Sequence, residues 1–295
     1  MARLLFVHAM TPLHVGTGHA VGAVDLPLAR EKTTGFPYVP GSSLKGVLRE
    51  VARLKGNGFP RQKLFGPERD NASDHAGALL VSDAQLLLLP VRSLVGTFAW
   101  VTSPFLLRRL ARDAREAGVG EVPMLDMNGV EQAKVAKEQA IVTADRVVFE
   151  DLDFKAETDN KVKTLAEWLG KYLFTGPGAS DWQAMLLKRL CVIHDDAFAF
   201  FSLHGTEIVT RIAIDPDKKT VKKGALWTEE NLPTETVMVS LVEGQSIAAP
   251  EHKVEINAEE ALDQLKALLE HPVQIGGDAT TGRGRCRLAL AGGPR

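Results

Sequence analysis

The sequence predicts an α+β fold built around an antiparallel sheet. Strand-like and helix-like segments alternate irregularly along its 295 residues, and short turns join several strand-like segments as in hairpins. A doubly wound parallel sheet would instead need a regular alternation of strand and helix, which this chain lacks. The length permits one elaborate domain or two.

The first half of the chain is predicted to hold three strands and two long helices. Residues 25–30 are extended, because Leu26 precedes a proline and therefore avoids helical angles. Ser103 and Pro104 begin a helix as its N-cap and first residue, and Gly118 ends it. The predicted elements are strands over 3–9, 78–82 and 91–102, helices over 43–55 and 103–118, and loops over 11–18 and 56–77.

The second half begins with residues 119–163, which are polar and are interpreted as an irregular insertion. The tight turn at 215–219 predicts a projecting hairpin over 207–226. Asn257 and Glu260 form a capping box at the start of a helix. The remaining predicted elements are helices over 163–174, 182–190 and 257–270, and strands over 197–203, 207–214, 273–275 and 285–290.

The composition is that of a globular protein and argues against several classes. No apolar run approaches the roughly 20 residues that cross a bilayer, so we expect no membrane partner. Residues 1–8 are too short and too polar for a signal peptide. Cys191 and Cys286 are isolated, which argues against a zinc site or a disulfide framework. They indicate a reducing compartment, and the cytoplasm is the expected location.

The net charge of −2 conceals an uneven distribution. Residues 1–65 hold nine Lys and Arg against three acidic side chains, and residues 275–295 hold four Arg against one Asp. The acidic excess therefore lies between the two ends. If the basic ends meet in the fold, they form a patch that a polyanion would detect. An ordinary solvated surface is the alternative.

The segment Pro40-Gly41-Ser42-Ser43 predicts a helix start suited to an anion. A helix opened by serine leaves backbone N–H groups and hydroxyls pointing outward. Lys45, Arg49 and Arg53 follow at intervals of four and form one basic stripe opposite an apolar face. A phosphate backbone lying across this start would meet all these donors. An amphipathic helix with a solvated basic side explains the same spacing.

The closing loop 276–284 is the second candidate anion site. It contains four glycines, two threonines and one arginine between two predicted strands. Glycines permit close approach of the backbone to a ligand, and their N–H groups can form an anion nest. A flexible hairpin with no ligand is the alternative.

Asp25 is the main candidate for chemistry, with His14 as a candidate proton-transfer partner. A carboxylate on an extended segment can hold Mg²⁺ with water completing the shell, or can position or deprotonate a ribose 2′-hydroxyl. A solvated or turn-capping aspartate and a structural histidine are the alternatives.

Glu229 and Glu230 are a second acidic candidate, although an acidic pair at a helix start would look the same. Trp227 could stack on a base, or pack in the core as most tryptophans do. Base-specific readout by an aromatic sheet is not expected, because the sequence lacks the corresponding aromatic signature.

In their order along the chain, these segments resemble the RAMP superfamily, which builds CRISPR effector complexes. The resemblance is greatest to the backbone subunit of the type III-B (Cmr) complex. It covers nearly the whole chain and is weakest over 119–190. It rests on residues 11–18, 24–31, 35–46, 90–94, 100–104, 224–230 and 276–285.

The resemblance implies a single elaborated domain over residues 1–295. Its expected parts are a modified RRM-like (ferredoxin-like) palm, finger-like insertions at about 119–163, a protruding β-hairpin thumb at about 207–230 and a C-terminal glycine-rich loop at 276–284.

The resemblance also implies a function. Copies of the protein would stack into a helical filament along a CRISPR guide RNA, beside other subunits of the complex. A single-stranded target RNA would pair with the guide and be cut by each copy at regular intervals, with Mg²⁺ or Mn²⁺. Sequence specificity would come from base pairing, and the protein would contact the RNA backbone.

Matched by position, the resemblance assigns Asp25 as catalytic residue and metal ligand, and His14, Glu229 and Glu230 to the neighbourhood of the scissile phosphate. The expected RNA contacts are Gly16, Ser42, Ser43, Lys45, Arg49, Trp227, Gly276, Gly277, Thr281, Arg283 and Arg285.

Three alternatives stay open at this point. The chain could be a filament subunit without nuclease activity, or the equivalent subunit of a type III-A complex. It could also be a stand-alone RAMP endonuclease that processes precursor guide RNA by histidine-centred chemistry without a metal.

Overall fold

The computed structural model describes residues 1–18, 24–71, 73–252 and 254–292, apart from the side chains of Arg69 and His252. The helices are α1 (Gly41–Leu54), α2 (Arg61–Phe65), α3 (Pro104–Glu116), α4 (Asn160–Leu173), α5 (Ala179–Arg189), α6 (Asp195–His204) and α7 (Ala258–Ala267).

Strands β1 to β9 lie in the first half of the chain. They are β1 (Ala2–Ala9), β2 (Tyr38–Val39), β3 (Leu79–Val81), β4 (Ala84–Arg92), β5 (Phe98–Thr102), β6 (Gln132–Val135), β7 (Val142–Thr143), β8 (Arg146–Phe149) and β9 (Leu152–Thr158). The others are β10 (Leu190–Ile193), β11 (Glu207–Ile214), β12 (Val221–Asn231), β13 (Val237–Gly244), β14 (Ile247–Ala249), β15 (Val254–Ile256), β16 (Val273–Gln274) and β17 (Arg285–Ala291).

A mixed sheet of 13 strands organises the described part of the chain. Its order is β16-β17-β1-β13-β4-β5-β10-β6-β9-β8-β7, with β2 beside β4 and β3 beside β13. Only the pairs β5–β10 and β6–β9 are parallel among these strands. The predicted α+β class with a mainly antiparallel sheet is therefore confirmed.

Strand β1 carries an apolar run from Leu4 to Val7, because both of its faces are covered there. Leu5 and Val7 belong to a core cluster with Leu44 of α1 and Leu265 of α7. Phe6 points the other way, into a second cluster with residues of α3, α4 and α5. Side chains alternate between the faces of a strand, so two core layers require a continuous apolar run.

Three predicted elements are wrong, and one strand was missed. Residues 119–163 are not irregular throughout, because 132–158 hold β6 to β9, which extend the sheet. Residues 91–102 are not one strand, since a turn closed by Ser93 N to Thr97 O at 3.1 Å separates β4 from β5. The central strand β13 was not predicted at all.

Residues 197–203 form helix α6 where the alternation of Phe and Ala predicted a strand. His194 caps this helix by accepting a hydrogen bond from Asp196 N at 3.3 Å, and Asp195 and Asp196 lie in its first turn. Acidic groups at this end favour a helix through its dipole. Phe198 and Phe201, three residues apart, then share the buried face.

The predicted hairpin is confirmed as β11 paired with β12, which together form a sheet separate from the main one. Its strands extend to Asn231, five residues beyond the predicted end. The base of the hairpin joins the body through a bridge between Leu13 and Leu232 and a parallel bridge between Leu26 and Glu229. These two bridges fix where the candidate site lies.

Candidate nucleic-acid interface and catalytic site

The closing glycine-rich loop packs on loop 11–18, so the two ends of the chain meet. Gly277 N donates to His14 O at 2.9 Å, and Gly284 N donates to Pro12 O at 2.8 Å. Gly276 has a φ of +79°, and a Cβ added there would lie 2.0 Å from His14 O. Only glycine fits this contact, which explains that residue on packing grounds.

His14 is buried between the closing loop and the hairpin base. Its Nδ1 lies 2.7 Å from Glu230 O. A carbonyl only accepts, so Nδ1 carries the proton and Nε2 is the acceptor in the neutral ring. Gly16 leaves room for the ring, since a Cβ there would lie 2.7 Å from Nε2. His14 therefore joins the two loops to the hairpin.

Asp25 lies at the edge of the hairpin base with its side chain exposed. Its Oδ2 accepts from Thr228 N at 2.8 Å and from Thr228 Oγ1 at 3.0 Å. The backbone N of Asp25 donates to the same hydroxyl at 3.1 Å. The structure thus places the predicted catalytic carboxylate at a solvent-facing edge, fixed through one of its two oxygens.

Glu229 lies on the opposite face of β12 from the Thr228 hydroxyl, because neighbouring strand residues alternate. Its carboxylate accepts from Trp227 Nε1 at 2.7 Å and from Arg211 Nε at 3.0 Å. Burial raises the pKa of Glu229, but the bonds from Trp227 and Arg211 outweigh it, and the net pKa is below the ordinary value. Glu229 is therefore an anion bound within the hairpin.

Glu230 is buried, and donors of this chain surround its carboxylate. Leu28 N donates to Oε2 at 3.0 Å, Thr206 Oγ1 donates to Oε1 at 2.8 Å, and Arg30 forms an ion pair with Oε1. This geometry ties segment 24–31 to the hairpin. It suits a structural ion pair better than a group that exchanges protons with a substrate.

The helix start differs in detail from its prediction. Helix α1 begins at Gly41 after Pro40, which provides no side-chain cap, and Gly41 N donates instead to Asp83 Oδ1 at 2.7 Å. Ser42 and Ser43 occupy the second and third helical positions with exposed side chains. The predicted serine cap is wrong, but both serines do lie at the positive end of the helix dipole.

A groove of about 800 Å³ runs beside this helix start. One side of the groove is lined by Ser42, Lys45 and Arg49. The rest of its wall includes Glu68 and Gln245. Burial and the nearby Arg49 lower the pKa of Lys45, which makes no ion pair with any described residue. An anion in the groove would relieve this unbalanced charge.

The two predicted arginines of the stripe have partners within the chain. Arg49 Nη2 donates to Pro67 O at 2.7 Å and lies 3.3 Å from Glu68 Oε2. Arg53 is paired with Glu50 on the exposed side of α1. Lys45 is therefore the residue of the stripe whose charge is most available to a phosphate.

The predicted contacts of the closing loop face the hairpin. Thr281 Oγ1 accepts from Arg211 Nη2 at 3.2 Å, and Arg283 lies 4.0 Å from Glu207. Arg285 has an exposed side chain at the start of β17. Trp227, half-buried near the hairpin base, faces Arg211 across the strands.

One contact network joins most of the predicted site residues. It contains His14, Gly16, Asp25, Trp227, Glu229, Glu230 and the closing loop. None of these residues lines the groove at α1. Sequence analysis missed Thr228, Arg211 and Arg30. Thr228 and Arg30 lie within the segments 224–230 and 24–31 that carry the resemblance, whereas Arg211 is identified only by its contacts.

The described residues contain no group of three or more His, Cys, Asp and Glu side chains that could hold a metal. Of the three predicted carboxylates, Glu229 and Glu230 are buried and Asp25 is exposed, with its Oδ1 outside the contacts to Thr228. Mg²⁺ accepts one or two carboxylates and fills its shell with water and phosphate oxygens. The donor set thus fits a magnesium ion brought or shared by a phosphate, and does not fit an all-protein cage.

None of the helices in the described part of the chain has the length and apolarity needed to cross a bilayer.

Comparison with known proteins gives consistent matches along the whole chain. The model of the RAMP superfamily matches residues 6–287. The chain is 34% identical over 297 residues to the CRISPR system Cmr endoribonuclease Cmr4 of Pyrococcus furiosus, covering 98% of this chain and 95% of that protein. It is 27% identical to the CRISPR system CMR subunit Cmr4 of Saccharolobus solfataricus, covering 80% and 82%.

The comparison with solved structures gives the same result as the sequence matches. Oligomeric Cmr4 from P. furiosus superimposes with a TM-score of 0.73 at 28% identity, covering 100% of this chain and 99% of the other. A subunit of the type III-B Cmr-beta complex bound to cognate target RNA has a TM-score of 0.73 at 21% identity, covering 98% and 97%, and supports the fold alone. The resemblance inferred from the ordered motifs is confirmed, and the chain belongs to the RAMP superfamily.

Proposed function

We propose that this chain is the backbone subunit of a type III-B CRISPR effector complex that binds guide RNA and cleaves the paired target RNA. One observation carries the catalytic part: the Asp25 carboxylate is exposed and fixed at the hairpin base, beside the meeting point of two glycine-rich loops. The similarity over 98% of the chain to a protein named an endoribonuclease supports this reading.

Guide binding is assigned to the groove at α1 and to the closing loop. Ser42, Lys45 and Arg49 offer a hydroxyl and positive charge along one wall, and the exposed Ser43 adds a second hydroxyl at the helix start. Such donors recognise phosphate without reading bases. The similarity to oligomeric Cmr4 supports a filament of copies of this chain. Further Cmr subunits and a cytoplasmic location belong to the same proposal, the latter because isolated cysteines are typical of a reducing compartment.

The proposed cleavage is an attack of the ribose 2′-oxygen on the adjacent phosphorus. The new P–O2′ bond forms, the P–O5′ bond breaks, and the departing 5′-oxygen takes a proton from water, so that the products carry a 2′,3′-cyclic phosphate and a 5′-hydroxyl. Asp25 Oδ1 orients or accepts the 2′-hydroxyl proton, and the hairpin holds the RNA out of regular helix. Asp25 is the side chain that would hold Mg²⁺ or Mn²⁺, which stabilises developing charge on phosphate oxygens when bound.

The test is cleavage of a labelled target by the reconstituted complex, with and without Mg²⁺. Cuts at a regular spacing and a cyclic phosphate end are expected, and EDTA should stop the reaction. Asp25→Asn is compared with Asp263→Asn, a matched change on the exposed surface of α7. Cleavage that persists in EDTA would favour the stand-alone processing enzyme instead.

A structural subunit without nuclease activity is the second candidate. It is favoured by the absence of a multi-ligand metal cluster among the described residues and by the occupied carboxylates of Glu229 and Glu230. This candidate predicts intact targets in a complex that still binds guide and target RNA.

A further inference from the structure

The contacts of Asp25 are unusually concentrated on one neighbour. Thr228 supplies a backbone N–H at 2.8 Å and a hydroxyl at 3.0 Å, both to Oδ2 of the carboxylate. The same hydroxyl accepts from Asp25 N at 3.1 Å. The hydroxyl therefore donates and accepts at once, which closes a small ring between the two residues.

An exposed aspartate would otherwise sample several rotamers at little energetic difference. Two bonds to Oδ2 remove this freedom and leave Oδ1 for another partner. Threonine is suited to hold a fixed geometry, because its branched Cβ restricts χ1 in a strand. The backbone is fixed as well, since Leu26 N donates to Thr228 O at 3.0 Å and Glu230 N donates to Leu26 O at 3.0 Å.

We propose that Thr228 is the positioning residue for Asp25, setting which carboxylate oxygen faces the scissile phosphate. This inference rests on the proposed endoribonuclease function. Thr228 itself touches no reacting atom, and acts only through the orientation of Asp25. Displacement of a reacting group by a fraction of an ångström is sufficient to slow catalysis, so the hydroxyl is expected to matter for rate and not for RNA affinity.

The experiment measures single-turnover cleavage by the reconstituted complex at saturating target RNA. Thr228→Val keeps the shape and the strand preference but removes the hydroxyl, and it should lower the rate by about tenfold or more, the effect of one lost bond to a charged group. Thr228→Ser restores the hydroxyl and should recover most of the parental rate.

Thr210→Val is the matched control. Thr210 lies directly opposite Thr228 on β11, and its side chain is exposed. This variant measures how much the loss of a hydroxyl elsewhere on the hairpin lowers the cleavage rate. The proposal requires the loss in Thr228→Val to exceed the loss in Thr210→Val by about tenfold, with target affinity and thermal unfolding matched in both.

A double-mutant comparison separates this inference from the proposed function. In an Asp25→Asn background, Thr228→Val should have little further effect, because the positioned carboxylate is gone. Equal losses in the parental and Asp25→Asn backgrounds, or a Thr228→Ser rate as low as that of Thr228→Val, would overturn the positioning role. An Asp25→Asn complex that cleaves at the parental rate would instead overturn the proposed function itself.

Discussion

The groove at α1 and the base of the hairpin differ in how far their charged groups are paired within the chain. In the groove, Lys45 is partly desolvated, its pKa is lowered, and no described residue pairs with it. At the hairpin base, the nearby polar groups are already bonded to one another, and Asp25 is held by Thr228. An unpaired cation can increase the affinity for a polyanion. A catalytic carboxylate instead requires neighbouring polar groups that are already hydrogen-bonded and hold it in one orientation.

The comparison also separates three neighbouring carboxylates. Glu230 and Glu229 are buried and bonded to cations of the chain, while Asp25 is exposed with one oxygen outside the Thr228 contacts. The adjacent residues Glu229 and Glu230 therefore have structural roles, and Asp25, which is distant in the sequence, supplies the carboxylate oxygen that is free to bind a ligand. This division between structural and reactive carboxylates has consequences that single substitutions can measure.

Asp25→Asn should lower target cleavage by about 10²–10⁴-fold, the range for loss of a general acid or base. Guide binding and assembly should persist, because Asp25 makes no contact in the groove. Single-turnover cleavage and gel-shift binding measure the two properties. Loss of both together would show that the two surfaces are not independent.

Arg30→Met should destabilise the fold by about 3 kcal/mol, because it leaves the buried Glu230 carboxylate without its cation. Arg30 also donates to Gly35 O at 2.8 Å and Ser202 O at 2.9 Å, so the change loosens segment 24–31. Denaturant unfolding measures the effect. Arg53→Met, which removes an exposed pair on α1, is the control and should leave the denaturant midpoint close to that of the parent.

Lys45→Ala should weaken guide binding for all sequences alike. The log–log dependence of affinity on salt should flatten by about 0.7, as expected for one lost phosphate contact. Lys266→Ala on α7 is the control for a general change of charge. A loss that depends on guide sequence would contradict a backbone contact at this position.

Glu229→Gln should change the acid dependence of stability. The pKa of Glu229 is below its ordinary value of 4.5 in the folded state, so the anion adds stability above that value. This contribution disappears as the pH falls through the folded pKa. Urea unfolding between about pH 5 and pH 3 should therefore show a smaller decline for Glu229→Gln than for the parent. Equal slopes would mean that the Arg211 and Trp227 bonds do not favour the anion.

Sequence reasoning succeeded where local signals and spacing suffice. The helix after Ser103-Pro104, the cap formed by Asn257 on Glu260 N at 2.8 Å and the 207–231 hairpin are all present. It failed for α6, where alternating aromatic residues imitate a strand, and for β6 to β9, whose polar strands are stabilised by pairing with distant partners. Pairing over long sequence distances leaves little trace in a local pattern.

The sequence alone determined the family, the α+β class and the identity of the candidate groups, because these depend on residue types in a fixed order. Only the tertiary structure decided that Thr228 holds Asp25, that Glu230 forms an ion pair with Arg30, and that Asp25 does not line the groove at α1. These contacts join residues about 200 positions apart, as with Thr228 N and Asp25 at a separation of 203. A hydrogen bond requires a particular distance and direction, and the folded chain alone sets both.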